Sequence, residues 1–189
     1  CKIVENASRD VNIAFANELS IIADKAEIDV WELISLANRH PRVNILSPGP
    51  GVGGHCIAVD PWFIVSEYPE DSNIMHQARK TNLMKVEWVI SKITSVINNF
   101  KNTNKNDFPT VACLGLTYKP DIDDIRESPS LYIINELISL NICNVLAVDP
   151  NVDKINNVKL IDYKYAIDNS DIIIYLVNHK EFKQRPINK

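Results

Sequence analysis

The sequence predicts an α/β chain in which an all-helical segment precedes a small parallel sheet. Apolar residues recur at three- and four-residue spacing through residues 1–100, and three short apolar runs follow, separated by helical stretches. Between the two rhythms, residues 98–107 are rich in Asn and Lys and hold no aliphatic side chain. Strands that alternate with helices form a parallel sheet, so the second half closes one of three strands.

The elements follow in order. Ile3, Ala7, Val11, Ala14, Phe15, Leu19 and Ile22 mark a helix from Lys2 to Lys25. Asp29 with Glu32 three positions later is an acidic variant of a capping box, and it opens a second helix that runs to about Asn38 and ends at His40-Pro41. A loop rich in Gly and Pro comes next. A long helix from Ser72 to Phe100 carries Val86, Val89, Ile90, Ile93, Ile97 and Phe100 as one stripe. Residues 98–107 then read as an interdomain loop, dividing the chain into 1–105 and 106–189. Beyond it, strands are expected at Thr110–Leu116, Asn144–Asp149 and Asp171–Val177, with a helix from Ser128 to Leu140.

Composition bounds the function. The chain has 189 residues, a formal charge of −4 and 46% hydrophobic content. That is enough for one or two domains with a real core. Basic and acidic residues are spread over both halves, which makes nucleic acid and anionic membranes poor partners. No apolar run reaches the length of a membrane span. The four cysteines, Cys1, Cys56, Cys113 and Cys143, form no C-x-x-C pair and no metal-ligand spacing. Isolated cysteines suit a reducing cytoplasm, and Cys113 and Cys143 read as buried small hydrophobes. There is no signal peptide and no initiator Met, and the chain opens inside helical sequence, so it reads as a piece of a longer protein.

The segment Ser47-Pro-Gly-Pro-Gly-Val-Gly-Gly-His-Cys-Ile-Ala-Val-Asp-Pro61 carries the chemistry. Four glycines crowd the approach to Cys56, baring backbone N–H groups and leaving room for a substrate carbon at the sulfur. A thiolate is a nucleophile, and Asp60, four residues on, can orient a water or accept a proton. The plain alternatives are a small packed cysteine and an Asp-Pro turn. Gly49, Gly51 and Gly54 also satisfy G-x-G-x-x-G, but that fingerprint requires a strand before it and a helix directly after, and Pro48, Pro50 and Asp60-Pro61 argue against both. Lys2 and Asn6, four apart, share a helix face, a pattern ordinary on solvated helices. Asp149 ends a strand without a glycine fingerprint before it and reads as structural.

Several segments, in order, resemble the nucleotide-sugar 6-dehydrogenase family (the UDP-glucose/GDP-mannose dehydrogenases). They are Cys1-Lys-Ile-Val-Glu-Asn6, Ser8 to Leu19, Ala37 to Ile45, the cysteine loop through Phe63, and Leu114-Gly-Leu-Thr-Tyr-Lys-Pro-Asp-Ile-Asp-Asp-Ile-Arg-Glu-Ser128. The resemblance covers the family's central helical dimerisation domain and its C-terminal UDP-binding domain, a truncated Rossmann-like sheet that stops after His179-Lys-Glu-Phe-Lys183. The family's NAD-binding domain lies outside it.

The resemblance implies NAD-dependent, two-step oxidation of a sugar C6 alcohol to the uronate, with Cys56 carrying first a thiohemiacetal and then a thioester. It implies that Lys2 and Asn6 stabilise the oxyanion and that Asp60 serves the hydrolytic water. Arg9, His40, Arg42 and Gly53 are implied to contact the substrate, Arg42 reaching into a neighbouring subunit. Tyr118 and Lys119 would hold the uracil–ribose–diphosphate part, and Arg126 would reach NAD. The implied substrate is UDP-N-acetyl-D-mannosamine, with UDP-glucose or UDP-N-acetylglucosamine as alternatives, and the implied assembly is a homodimer through the helical domain. The product would feed the making of surface polysaccharide. The segment in isolation is expected to be a dimerisation and UDP-binding module without catalysis.

Overall fold

The computed structural model describes residues 1–183. The chain divides into two compact units, Cys1–Val86 and Glu87–Lys189. The division falls inside a long helix, ahead of the Asn/Lys-rich stretch where the sequence suggests a boundary.

The first unit holds helices joined by loops and no strand. Helix α1 spans Lys2–Lys25 and α2 Val30–Ala37. The Asp29 side chain caps α2 as expected, accepting from the backbone N–H groups of Trp31 and Glu32 at 2.8 and 3.3 Å. Helix α3, Asp60–Glu67, corrects the sequence reading, which took Asp60-Pro61 as a helix breaker. Pro61 sits in the first turn, where its missing N–H costs no hydrogen bond and its fixed φ suits the helix. Helix α4 runs Asn73–Asn104, beyond the expected stop near Phe100 and through much of the stretch read as a loop. It ends at Lys105, which adopts a left-handed φ of 51°.

The face that α1 buries takes in only the small members of its apolar stripe, Ala7 and Ala14. Ala7, Asp10, Ala14, Ala16, Asn17, Ser20 and Ala23 point inward, whereas Phe15 and Ile22 are 55% and 56% exposed. Small side chains let neighbouring helices approach closely, and the polar ones among them find partners on α4.

The second unit is a three-stranded, all-parallel sheet in the order β2-β1-β3. Strand β1 is Thr110–Leu114, β2 Asn144–Val148 and β3 Ile172–Tyr175. β1 is central, with Ala112 opposite both Leu146 and Ile173. Helix α5, Pro129–Leu140, is capped by Ser128, and α6, Tyr163–Asp168, by Asp162; α7 is Lys180–Lys183. The expected strands, helix and fold class are all present, with strands two or three residues shorter than expected for β1 and β3. Ala112, Leu114, Leu146, Val148, Ala166 and Phe182 form a buried cluster, while Val111 and Cys113 alternate with the first pair onto the opposite face, also buried.

Gly115 fixes how β1 leaves the sheet. Its φ is +89°, and a Cβ there would lie 2.5 Å from the Val177 carbonyl oxygen and 2.6 Å from the Val177 Cβ. Gly115→Ala combines a left-handed alanine with a backbone overlap, so it should destabilise the second unit by about 2–5 kcal/mol. Urea unfolding followed by circular dichroism checks this; an unchanged midpoint would show that β1 and the segment after β3 do not approach so closely.

Candidate active site

Cys56 lies at the end of the glycine loop, half-buried and reduced. Gly53 and Gly54 before it are buried, and Gly54 takes a φ of +85° that a side chain would oppose. The Cys56 carbonyl accepts the N–H groups of Val59 and Asp60, at 3.1 and 2.8 Å. This turn delivers the chain straight into α3 and sets the Asp60 carboxylate beside the thiol's segment.

Two residues of α1 meet that carboxylate. Asn6 Nδ2 donates to Asp60 Oδ2 at 2.7 Å, and Lys2 Nζ lies 3.7 Å from the same oxygen. The Lys2 amine is held above its ordinary pKa, chiefly by a hydrogen bond with the Cys56 thiol and by the Asp60 charge. The ammonium is charged through the neutral range, which supplies a cation on the side of the loop that carries the thiol. Lys2, Asn6, Asp60 and Cys56 therefore converge. The i,i+4 spacing puts the first two on one face, and the turn after Cys56 brings that face its partners.

Asp60 is buried, with only 8% of its surface exposed, while Lys2 is open to solvent. A buried carboxylate held by an amide and an ammonium is a fixed acceptor, suited to orienting a water. The thiol between glycines and a cation is suited to nucleophilic attack.

The remaining candidates of this unit are placed as follows. Arg9 is exposed on α1, one turn beyond Asn6. His40 and Arg42 are exposed on the loop after α2, and the His40 Nδ1 accepts the Arg42 N–H at 3.2 Å. That loop is closed by Asn38, whose side chain both donates to the Ile45 carbonyl and accepts the Ile45 N–H, at 2.9 and 2.7 Å.

A support for the cysteine loop escapes sequence reasoning. Asn17 Oδ1 accepts the Gly49 N–H at 2.9 Å, and its Nδ2 donates to Asn82 Oδ1, also at 2.9 Å. Asn82 in turn donates to Asp10 Oδ1 at 2.8 Å, and Arg79 Nη1 reaches the same oxygen at 2.6 Å. All four side chains are buried. Their only signal in the sequence is polar residues at i, i+7 on α1 and i, i+3 on α4, a spacing that ordinary solvated faces share.

In the second unit Tyr118 and Lys119 follow β1, at the carboxyl ends of the strands. β2 and β3 lie on opposite sides of β1, so the chain reverses direction there, which is where open α/β sheets take ligands. Lys119 is exposed, its Nζ 5.7 Å from the centre of the Tyr118 ring. Arg126 grips Asp124 through both Nε and Nη2, the shortest contact being 2.6 Å. Asp149, at the end of β2, accepts the N–H groups of Leu116, Thr117 and Asn151, as befits a structural residue. Burial alone would raise its pKa, but hydrogen bonds from His179, Leu116 and Asn151 outweigh that and hold it below the ordinary carboxylate value.

Among the described residues no dinucleotide cradle is formed. No strand precedes Gly49, α3 opens only at Asp60, and Gly115 stands alone after β1. The described residues do not by themselves make a dinucleotide site, and Arg126 is the one candidate among them for contact with NAD.

The family model for the central domain of the UDP-glucose/GDP-mannose dehydrogenase family matches residues 1–83, and the model for its UDP binding domain matches residues 112–189. A UDP-N-acetyl-D-mannosamine dehydrogenase of Campylobacter jejuni is 52% identical over 96% of this chain and 45% of its own length. An NDP-N-acetyl-D-galactosaminuronic acid dehydrogenase of Ralstonia solanacearum is 47% identical over 97% of this chain and 43% of its own. The solved structure of a UDP-D-ManNAc dehydrogenase from Pyrococcus horikoshii superimposes with a TM-score of 0.83 at 36% identity, covering 96% of this chain and 42% of that one. The chain thus spans less than half the length of the relatives it matches. Over that span it belongs to the UDP-glucose/GDP-mannose dehydrogenase family.

Proposed function

We propose that the protein oxidises the C6 alcohol of UDP-N-acetyl-D-mannosamine to the uronate, with Cys56 as covalent nucleophile and NAD as the family's hydride acceptor. The observation that carries this is the meeting of Lys2, Asn6 and Asp60 beside the Cys56 thiol. The thiolate adds to the C6 aldehyde, forming a C–S bond and an oxyanion on C6. Lys2 and Asn6 are the donors aimed at that oxyanion, and losing one such donor costs about 10²–10³ in rate. Once the thiohemiacetal is oxidised, the acyl group rests on sulfur as a thioester. A water oriented by Asp60 attacks the acyl carbon, the C–S bond breaks and the thiol is restored. Arg9, His40, Arg42 and Gly53 serve the sugar and phosphates in this reading, and Arg126 serves the cofactor.

N-acetylmannosamine as the sugar is supported by the relatives of that printed activity at 52% identity. The Ralstonia relative, only slightly more distant, favours an N-acetylgalactosamine nucleotide as a second substrate. NADH formation by the full-length protein with UDP-N-acetylmannosamine, UDP-N-acetylgalactosamine, UDP-N-acetylglucosamine and UDP-glucose tests the assignment. The reading expects the first to give the highest kcat/KM, and no turnover with any of them would sink it.

In the second unit, Tyr118 and Lys119 hold the UDP part, the lysine pairing with phosphate. Lys119→Ala should weaken UDP binding about tenfold, and less at high salt. Calorimetric titration with UDP at two salt concentrations reads both effects.

The protein works as a homodimer through the helical unit. Phe15 and Ile22 on α1, with Leu83 and Met84 on α4, leave large apolar side chains more than half exposed, which usually marks an interface. Light scattering behind gel filtration at micromolar concentration should give twice the chain mass, and a monomeric mass refutes the interface. A nucleophilic thiol that must stay reduced suits the cytoplasm, and among the described residues no helix is long and apolar enough to cross a membrane.

A further inference from the structure

Among the fully buried polar side chains described, His179 is the largest, and the proposed chemistry gives it no task. It follows β3, is fully buried, and uses both ring nitrogens. The Asp121 N–H points at Nδ1 from 3.0 Å, and Asn151 Nδ2 lies 2.8 Å from the same atom. A backbone N–H can only donate, so Nδ1 is the acceptor and the ring hydrogen sits on Nε2. There it faces Asp149 Oδ2 at 3.2 Å and Thr117 Oγ1 at 3.3 Å. The Thr117 hydroxyl spends its own hydrogen on the Lys119 carbonyl, 2.9 Å away. Asp121 is held a second time, its Oδ1 accepting the Lys180 N–H at 2.9 Å, and it keeps a left-handed φ of 62°.

The consequence is a strap. Tyr118, Lys119 and Pro120 are tied down on the upstream side by Thr117 and on the downstream side by Asp121, and the ring of His179 touches both ties. Asp121, His179 and Glu181 do bring ligand atoms within 4.8 Å of one another, but Nδ1 is already committed to the Asp121 N–H, so the cluster serves the strap rather than a metal.

We propose that His179 is a positioning residue for Lys119, fixing the strap so that the lysine meets the phosphates of a nucleoside diphosphate. The role rests on Lys119 being the phosphate ligand, as proposed above. It predicts that the two residues act as one unit on affinity, because the histidine contributes only through where it puts the lysine.

A double-mutant cycle on UDP affinity, measured by calorimetry with the full chain, tests this. Lys119→Ala and His179→Phe should each weaken UDP binding about tenfold, and the double variant should be within about twofold of either single one. His179→Asn places an amide oxygen near the lost Nδ1 and should recover most of the affinity, whereas His179→Gln, which has no acceptor there, should not. Wild-type affinity in His179→Phe, or losses that multiply in the double variant, would overturn the role. If His179→Phe does not fold, equal affinities for the Asn and Gln variants overturn it instead. An unchanged affinity in Lys119→Ala alone marks failure of the nucleotide site itself, and removes the positioning role with it.

Discussion

Cys56→Ser is expected to lower uronate formation by roughly 10⁴ or more, the scale on which removal of a covalent nucleophile acts. Serine keeps the size and the turn but not the chemistry. A hydroxyl is not ionised near neutral pH, and the side chains that meet beside it, Lys2, Asn6 and Asp60, do not include an imidazole. The thiol, by contrast, has the Lys2 ammonium beside it, and thiolate is the form that adds to an aldehyde. The substitution leaves Tyr118 and Lys119 untouched, so UDP affinity should stay within about twofold of wild type. Anion-exchange analysis of the sugar nucleotides after incubation, together with a UDP titration, checks both halves. Near-normal uronate production by the serine variant would end the covalent mechanism.

Removal of Arg79 should cost the helical unit about 3–5 kcal/mol, because it strands a buried carboxylate. Arg79 Nη1 and Asp10 Oδ1 are 2.6 Å apart, and both side chains are almost wholly buried. Burial pushes the Asp10 pKa up even with Arg79 and Asn82 pulling it down, so desolvation outweighs the pair's attraction in the intact protein. In Arg79→Met the downward pull is gone and the folded pKa rises further above the unfolded value. The penalty is then present above the folded pKa, where the carboxylate is charged, and is relieved as pH falls and the carboxyl takes up a proton. Urea unfolding of Arg79→Met at pH 7 and pH 5, followed by tryptophan fluorescence, should show a smaller deficit against wild type at the lower pH. The pair Asp10→Leu with Arg79→Met should recover most of the loss, since no charge is left buried. A deficit independent of pH, or a double variant no better than the single one, contradicts this account. Because Asn82 links Asp10 to Asn17 and so to Gly49, a strained Asp10 is also expected to loosen the loop before Cys56.

The parts of the fold that were legible in the sequence are those set by local chemistry. Asp29 caps α2 because its carboxylate reaches two free N–H groups, whatever surrounds it. β1 is legible because a central parallel strand is buried on both faces and so reads as an unbroken apolar run, and the edge strands β2 and β3, though less buried, carry apolar runs of the same kind. Legibility failed where the outcome depends on distant partners. The inward face of α1 is small and polar, and only Arg79, Asn82 and Lys85 on α4 make that face habitable. Large members of its apolar stripe, Ile3, Phe15 and Ile22, are exposed. α3 was missed because a proline was read as a stop when its position made it a start.

The site divides in the same way. The glycine loop announces Cys56, since four of the chain's five glycines surround one thiol. Lys2 and Asn6 are different. Their spacing places them together, but only resemblance to the family gives them a purpose, and the shared contact with Asp60 Oδ2 appears only in three dimensions. His179 has no signature beyond its place after β3, for its partners Thr117, Asp121 and Asp149 come from two other segments, those after β1 and β2.

If the oxidised sugar is carried on Cys56, its acyl intermediate can be trapped there. Asp60→Asn in the full-length protein should slow hydrolysis of the thioester more than its formation, because the carboxylate serves the water. After incubation with UDP-N-acetylmannosamine and NAD, acid quench and peptide mass spectrometry, the peptide bearing Cys56 should carry the mass of the acylated sugar nucleotide, and thiol treatment should release it. Turnover that leaves the Cys56 peptide unmodified, or an adduct on any other residue, would contradict the account.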